Sequence, residues 1–182
     1  PNLMVFRPAD ANEASVAAKL AFNYNDTASI ILLTRQKLPV IDRNKYSDFN
    51  DFEKGAYVIS EYENDLPKMS IFSSGSEVSL ALDVKEILKD DFNIRVVNFG
   101  CWELFELQPD SYKNNIIHDN SIKVSVEAGI TAGWERYTGN CRLNTLNIGI
   151  NSYGESAPGK VVAEHFGLTP EAVSKKIKST FS

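Results

Sequence analysis

The chain is poor in the residues from which most reactive and metal sites are built. It has two cysteines, Cys101 and Cys141, and two histidines, His118 and His165. The cysteines lie far apart, with no CxxC and no histidine at ligand spacing, so neither a metal site nor a redox motif is indicated. Two solitary cysteines suit a reducing, cytoplasmic setting. No apolar run approaches the ~20 residues that cross a membrane. Basic residues form no stripe outside the last helix, and with 24 acidic against 19 basic residues the net charge is −5. That balance argues against nucleic acid as a partner. No serine, cysteine or histidine stands at a readable spacing from Glu127 or Glu155, two acids expected at a strand end and in a loop, so no catalytic triad emerges. His118 is expected in a loop with Asp119. His165 falls within a helix beside Phe166, where a lone histidine is more often a boundary residue than a base.

What is present is globular. The length of 182 residues, with 43% hydrophobic and 24% charged residues, is enough for one domain with a real core or one domain plus part of another. Pro1 is neither an initiator methionine nor the start of a signal sequence, which leads us to expect a segment of a longer polypeptide. Leu3-Met4-Val5-Phe6 reads as a short buried strand. Asp10 follows as a helix N-cap with Glu13 as its capping-box partner. Ala14, Ala17, Ala18, Ala21 and Phe22 form a narrow apolar stripe that lets the helix lie close to a sheet. A second strand then completes a β-α-β unit, whose short helical crossover implies parallel strands.

That second strand, within residues 29–40, carries the best-placed functional residue. Ser29-Ile30-Ile31-Leu32-Leu33-Thr34 has the composition of a strand buried on both faces, and it ends in Arg35-Gln36-Lys37-Leu38-Pro39. Ligands of open α/β sheets bind beyond the carboxyl ends of parallel strands, so a cation there invites an anion. The rigid fork of Arg35 matches a phosphate or a carboxylate, whereas a lysine would offer a mobile point charge. The alternatives are a neighbouring carboxylate partner or plain solvation.

From Asp42 to Glu53 the sequence has no period and few apolar residues, as in a linker or surface loop. Strands are then expected over residues 55–60, 69–73, 94–99, 122–126 and 146–150. Helical segments are expected after Ser76, at Trp102 to Phe105, from Pro109 to Ile117, around Trp134 and Tyr137, over 160–165 and over 170–180. Ser73-Ser74-Gly75-Ser76-Glu77 could cradle phosphate on its backbone amides. It lacks the further glycines of a dinucleotide fingerprint and the Gly-Lys-Ser/Thr of a P-loop, which favours Ser76 as a plain N-cap over a tight turn. Thr169, Pro170 and Glu171 announce the last helix, and Lys175-Lys176-Ile177-Lys178 sits at its negative end as dipole compensation on a solvated face.

Six motifs in order, Phe6-Arg7-Pro8-Ala9-Asp10 with Asn12-Glu13, Thr34-Arg35-Gln36-Lys37-Leu38-Pro39, Gly75-Ser76-Glu77-Val78, Val126-Glu127-Ala128-Gly129, Gly154-Glu155-Ser156-Ala157-Pro158 and Phe166-Gly167-Leu168-Thr169-Pro170-Glu171, resemble transketolase. Trp102-Glu103-Leu104-Phe105 and Gly133-Trp134-Glu135-Arg136-Tyr137 look like its bacterial-type branch. One departure is Ala11, where many members have glycine.

The resemblance implies a thiamine-diphosphate enzyme that moves a two-carbon ketol unit from a ketose phosphate to an aldose phosphate, in the pentose phosphate pathway. It implies a cytoplasmic homodimer with Mg or Ca beside the cofactor. Residues 1–41 would be the tail of the pyrimidine-binding domain, 42–54 a linker, and 55–182 the C-terminal domain, a three-layer α/β fold with a mostly parallel mixed sheet. The N-terminal and most of the middle domain would lie outside the chain. No catalytic, cofactor-binding or metal residue of the family has a counterpart here, so this portion alone is expected to be inactive and to bind no cofactor. One site residue carries over: Arg35, which would bind the sugar phosphate. Alternatives are a free-standing anion-binding or dimerisation module, or a related thiamine-diphosphate enzyme such as dihydroxyacetone synthase.

Overall fold

The computed structural model describes residues 2–117, 120–141 and 143–181. His118 and Asp119 therefore lie outside the described residues.

The chain opens with strand β1 (Leu3–Phe6), helix α1 (Ala11–Asn23) and strand β2 (Ala28–Ile31). The strands pair in parallel, with Leu3 opposite Ala28 and Phe6 opposite Ile31, as the short crossover requires. Asp10 caps α1 as its spacing demands, accepting the Glu13 N–H at 3.0 Å. The reciprocal half of the box differs, because the Glu13 carboxylate turns to the N–H of Ala9 at 2.8 Å. The apolar stripe is also rotated from the one expected. Ala17 is buried, Val16, Leu20 and Ala21 pack against the core, and Phe22 is 84% exposed.

Strand β2 is not buried on both faces. The strand ends at Ile31 and not at Thr34, and Ile30 within it and Leu32 and Leu33 beyond it are exposed; composition alone does not tell a strand which of its faces other elements will cover. The segment from Asp42 ends in a 3-10 turn at Asn50–Lys54, whose Phe52 is fully buried.

A second sheet follows. Its strands are β3 (Tyr57–Ser60), β4 (Lys68–Ser73), β5 (Asn93–Asn98), β6 (Ile122–Val126) and β7 (Thr145–Ile148), in the spatial order β3-β5-β4-β6-β7. All neighbours are parallel except β3 with β5. The sheet is thus mixed and mostly parallel, flanked by helices. Helix α2 (Glu77–Leu88) crosses from β4 to β5, and α3 (Trp102–Glu106) with α4 (Asp110–Ile117) leads on towards β6. Helix α5 (Glu135–Thr138) precedes β7, and α6 (Gly159–His165) and α7 (Pro170–Phe181) close the chain.

The central strands β4 and β5 are almost wholly buried, as hydrophobic runs covered on both faces must be. One core layer gathers Met69, Ile71, Leu88, Ile94, Val96 and Ile177. The other is aromatic: Phe72, Phe99, Phe105, Trp134 and Tyr137 pack together, with Phe99 at 5.2 Å from Phe72 and 5.0 Å from Phe105 in edge-on contacts. Ser76 stands at the start of α2 in helical conformation and makes no capping bond with its side chain. Its hydroxyl goes to Glu77 at 2.6 Å, so the expected N-cap is one of position only. Thr169 does cap α7, accepting the Ala172 N–H at 3.3 Å. Lys175 and Lys176 are solvated while Lys178 meets Asp91 at 2.5 Å. No helix among the described residues is long and apolar enough to cross a membrane.

Candidate functional site

The order of the second sheet reverses at β4, which has β5 on one side and β6 on the other. Beyond the carboxyl ends of these three strands lies the crevice where open α/β sheets place their ligands. Here that crevice is filled by the end of β1. Arg7, the residue after β1, donates its N–H to Gly100 O at 2.7 Å and accepts the N–H of Gly75 at 3.1 Å. Its guanidinium pairs with Glu127. One residue thereby ties the loops that follow β5, β4 and β6.

Glu127 is 3% exposed. Its other oxygen accepts the Ser74 hydroxyl at 2.7 Å. Burial pushes its carboxyl up to about 7, with Arg7 and Ser74 opposing and Glu77 adding to the rise. The sequence marks Glu127 as an acid at a strand end but offers no signal for its partner, which stands 120 residues earlier. Beside the pair opens a cavity of about 240 Å³, lined by Trp102, Trp134, Glu103 and Ile130 among others. Glu103 faces it with its carboxylate bound to the Val5 N–H at 3.1 Å. A further cavity of about 210 Å³ is shared by Arg7, Gly75, Glu77, Leu32, Leu33 and Thr34.

Arg35 lies just past this second cavity. It is exposed, and no carboxylate or other acceptor among the described residues engages it. Neither an ion pair nor burial consumes its five donors. The turn that carries it is stapled by Gln36 N–H to Thr34 Oγ1 at 3.1 Å. The Gln36 amide lies against Gly159, where a Cβ would come within 2.9 Å of it.

A second polar cluster joins the β1-α1-β2 unit to the second sheet. Glu13 is fully buried and accepts from Asn98 Nδ2 at 2.9 and 2.8 Å, from Arg43 at 3.2 Å and from the Tyr57 hydroxyl. Arg43 also reaches Asp10 at 3.3 Å. Burial pushes the Glu13 carboxyl up while Tyr57, the Ala9 N–H and Arg43 hold it down. Both Glu13 oxygens face donors, while Asn98 Oδ1 and Arg43 Nε are buried without a hydrogen-bond partner among the described residues, so the cluster ties α1 to the second sheet.

The remaining sequence candidates stay apart. Glu155 and His165 are exposed, far from Glu127 in the chain, and the His165 ring stacks edge-on with Phe166 at 4.8 Å. Among the described residues no three His, Cys, Asp or Glu side chains converge as a metal requires, so these residues do not fit a divalent ion. The Gly75 turn has φ +57 and spends its N–H on Arg7, leaving it committed to packing.

A family model described as the transketolase-like TK C-terminal domain matches residues 55–169. Among curated proteins, a transketolase of Aquifex aeolicus is 46% identical over 179 residues, 97% of this chain and 25% of the relative. Chloroplastic transketolase 1 of Arabidopsis thaliana is 42% identical over 184 residues, 100% of this chain and 24% of the relative. Among solved structures, transketolase from Leishmania mexicana aligns at TM-score 0.86 and 34% identity, over 99% of this chain and 25% of that one. A Pichia stipitis transketolase in complex with sedoheptulose 7-phosphate aligns at TM-score 0.87 and 32% identity, with the same coverage of 99% and 25%. The chain spans about a quarter of the length of the curated relatives it matches.

Proposed function

The chain belongs to the transketolase family and carries its C-terminal domain, and on that premise we propose that it serves as the last part of an enzyme transferring a two-carbon ketol unit from a ketose phosphate to an aldose phosphate. In this reading residues 1–41 complete the preceding domain, 42–54 link the two, and 55–182 form the C-terminal domain. The carbanion chemistry comes from thiamine diphosphate and its Mg or Ca ion, held by parts of the enzyme outside this chain. The assembled enzyme is a cytoplasmic homodimer. This portion alone neither binds the cofactor nor turns over substrate; calorimetry detecting cofactor binding to the isolated chain would contradict that.

The contribution of this chain to the active site is Arg35, which binds the sugar phosphate. The observation that carries the reading is its position. It sits a few residues past the carboxyl end of the parallel strand β2, exposed and without an acceptor among the described residues, on a motif that resembles the family's. A guanidinium in that place holds two phosphate oxygens at once and orients the sugar. That a relative has been solved with sedoheptulose 7-phosphate supports a phosphorylated ligand.

The test uses the chain assembled with the remaining transketolase domains. Arg35→Ala is expected to raise KM for a ketose phosphate by ~10–100-fold, the worth of a charged hydrogen-bonded pair. Arg35→Lys keeps the charge, loses the fork and falls between. KM for an unphosphorylated acceptor stays put. An unchanged KM for the ketose phosphate would remove Arg35 from the site.

A further inference from the structure

We propose that Glu127 is a positioning residue for Arg35: by pairing with Arg7 it fixes the end of β1 against the second sheet, and that seam supports the turn presenting Arg35 to the sugar phosphate. The inference rests on the reading of Arg35 given above.

The support runs through short, named contacts. Arg7 follows Phe6, and Phe6 O accepts the Leu32 N–H at 2.8 Å, extending the β1–β2 pairing to the segment that leads into Arg35. Leu32, Leu33 and Thr34 form one wall of a cavity whose other wall is Arg7, Gly75, Ser76, Glu77 and Ala128. The bond from Leu32 N–H to Phe6 O couples the wall formed by Leu32 to Thr34 to the chain that carries Arg7. The backbone bonds of Arg7 to Gly100 and Gly75 do not depend on its side chain. Loss of the Glu127 pair should loosen the seam without opening it, which is what a graded effect on substrate binding requires.

The pair is also sensitive to protons. The charged groups facing Glu127 are Arg7 after β1 and Glu77 on α2, with Glu103 of α3 on the adjoining cavity. Burial raises its carboxyl to about 7. Above that pH the carboxylate holds Arg7 as an ion pair, and below it the neutral acid holds Arg7 weakly.

The experiment measures kcat and KM from pH 5.5 to 8.5 in the assembled enzyme, with a ketose phosphate and with an unphosphorylated acceptor. Wild type is expected to show KM for the ketose phosphate rising as pH falls through about 7. In Glu127→Gln that step disappears, leaving only the change near pH ~6 from the phosphate of the substrate itself. KM for the ketose phosphate rises about threefold to tenfold above pH 7.5, a range set by the size of energetic coupling through packed networks, while kcat and the unphosphorylated acceptor are spared. Ser74→Ala offers a second, milder variant. It removes the hydroxyl that favours the ionised form, so the step moves to higher pH. Equal losses for both substrates, or an unchanged KM and pH profile in Glu127→Gln, would overturn the inference. If Arg35→Ala leaves KM unchanged, the phosphate reading itself fails, and the two failures are told apart by that variant.

Discussion

Glu13 and Asn98 stand 85 residues apart in sequence, yet the Asn98 amide donates to both oxygens of the Glu13 carboxylate, at 2.9 and 2.8 Å. With Arg43 and Tyr57 on the same carboxylate, this contact joins helix α1 to strand β5 at a buried point. Glu13→Ala would strand several buried donors at once and leave the Arg43 charge with Asp10 alone. The expected cost is ~3–5 kcal/mol, the range for breaking a buried ion pair by removing one partner. Denaturant unfolding checks it, and a loss below ~1 kcal/mol would show that the cluster is solvated in solution.

Glu127 sets a pH dependence of stability with a definite sign. The folded chain holds its proton up to about 7, whereas an unfolded glutamate releases it near 4.5. Between those values the folded state carries the extra proton, so stability falls as pH rises through the window and is not recovered above it. Glu127→Gln cannot titrate. The unfolding free energy of wild type minus that of Glu127→Gln is therefore expected to decline from pH 5 to pH 7 and then level off. A flat difference would mean that Glu127 ionises normally.

Glycine positions separate sharply. At Gly55, with φ +85, a Cβ would lie 2.3 Å from both Cys101 O and Phe105 N, backbone atoms that cannot step aside. Gly55→Ala is expected to cost several kcal/mol, roughly the sum of an overpacked site and a left-handed residue with a side chain. Gly154 has nothing within 4 Å, and Gly154→Ala should leave the melting temperature within a degree or two, about the effect of an ordinary surface change. Parallel thermal melts of the two variants test the contrast.

The two thiols should react at very different rates. Cys101 is buried, and burial pushes it up to about 12. Cys141 is exposed. A maleimide at pH 7 is expected to modify Cys141 first, because reaction needs both access and a thiolate. Mass spectrometry of the folded chain reads the order, and early labelling of Cys101 would mean that the loop before α3 opens.

Local patterns made most of the framework legible. The alternation of Ile122-Lys123-Val124-Ser125-Val126 located β6, the Thr169-Pro170-Glu171 signature located α7, and the apolar run of Leu3 to Phe6 located β1, since each depends on neighbours within a turn or a strand. Other features depend on distant parts of the chain. The burial of β2 turned on which elements cover its faces. The capping role of Glu13 was visible, while its larger part in holding Arg43, Tyr57 and Asn98 was not. Arg35 could be singled out because its strand end is a local feature. Glu127 could be noticed only as an isolated acid, because nothing near it in sequence announces Arg7.

The aromatic layer also gives the chain a built-in optical probe. Its two tryptophans, Trp102 and Trp134, lie 5.0 Å apart and line the same cavity as Arg7 and Glu127. All indole emission thus originates at one spot, where the first strand meets the second sheet, and the opposite end of the molecule is dark. A change in fluorescence on titration or on joining the other domains reports that seam in particular, with no label added.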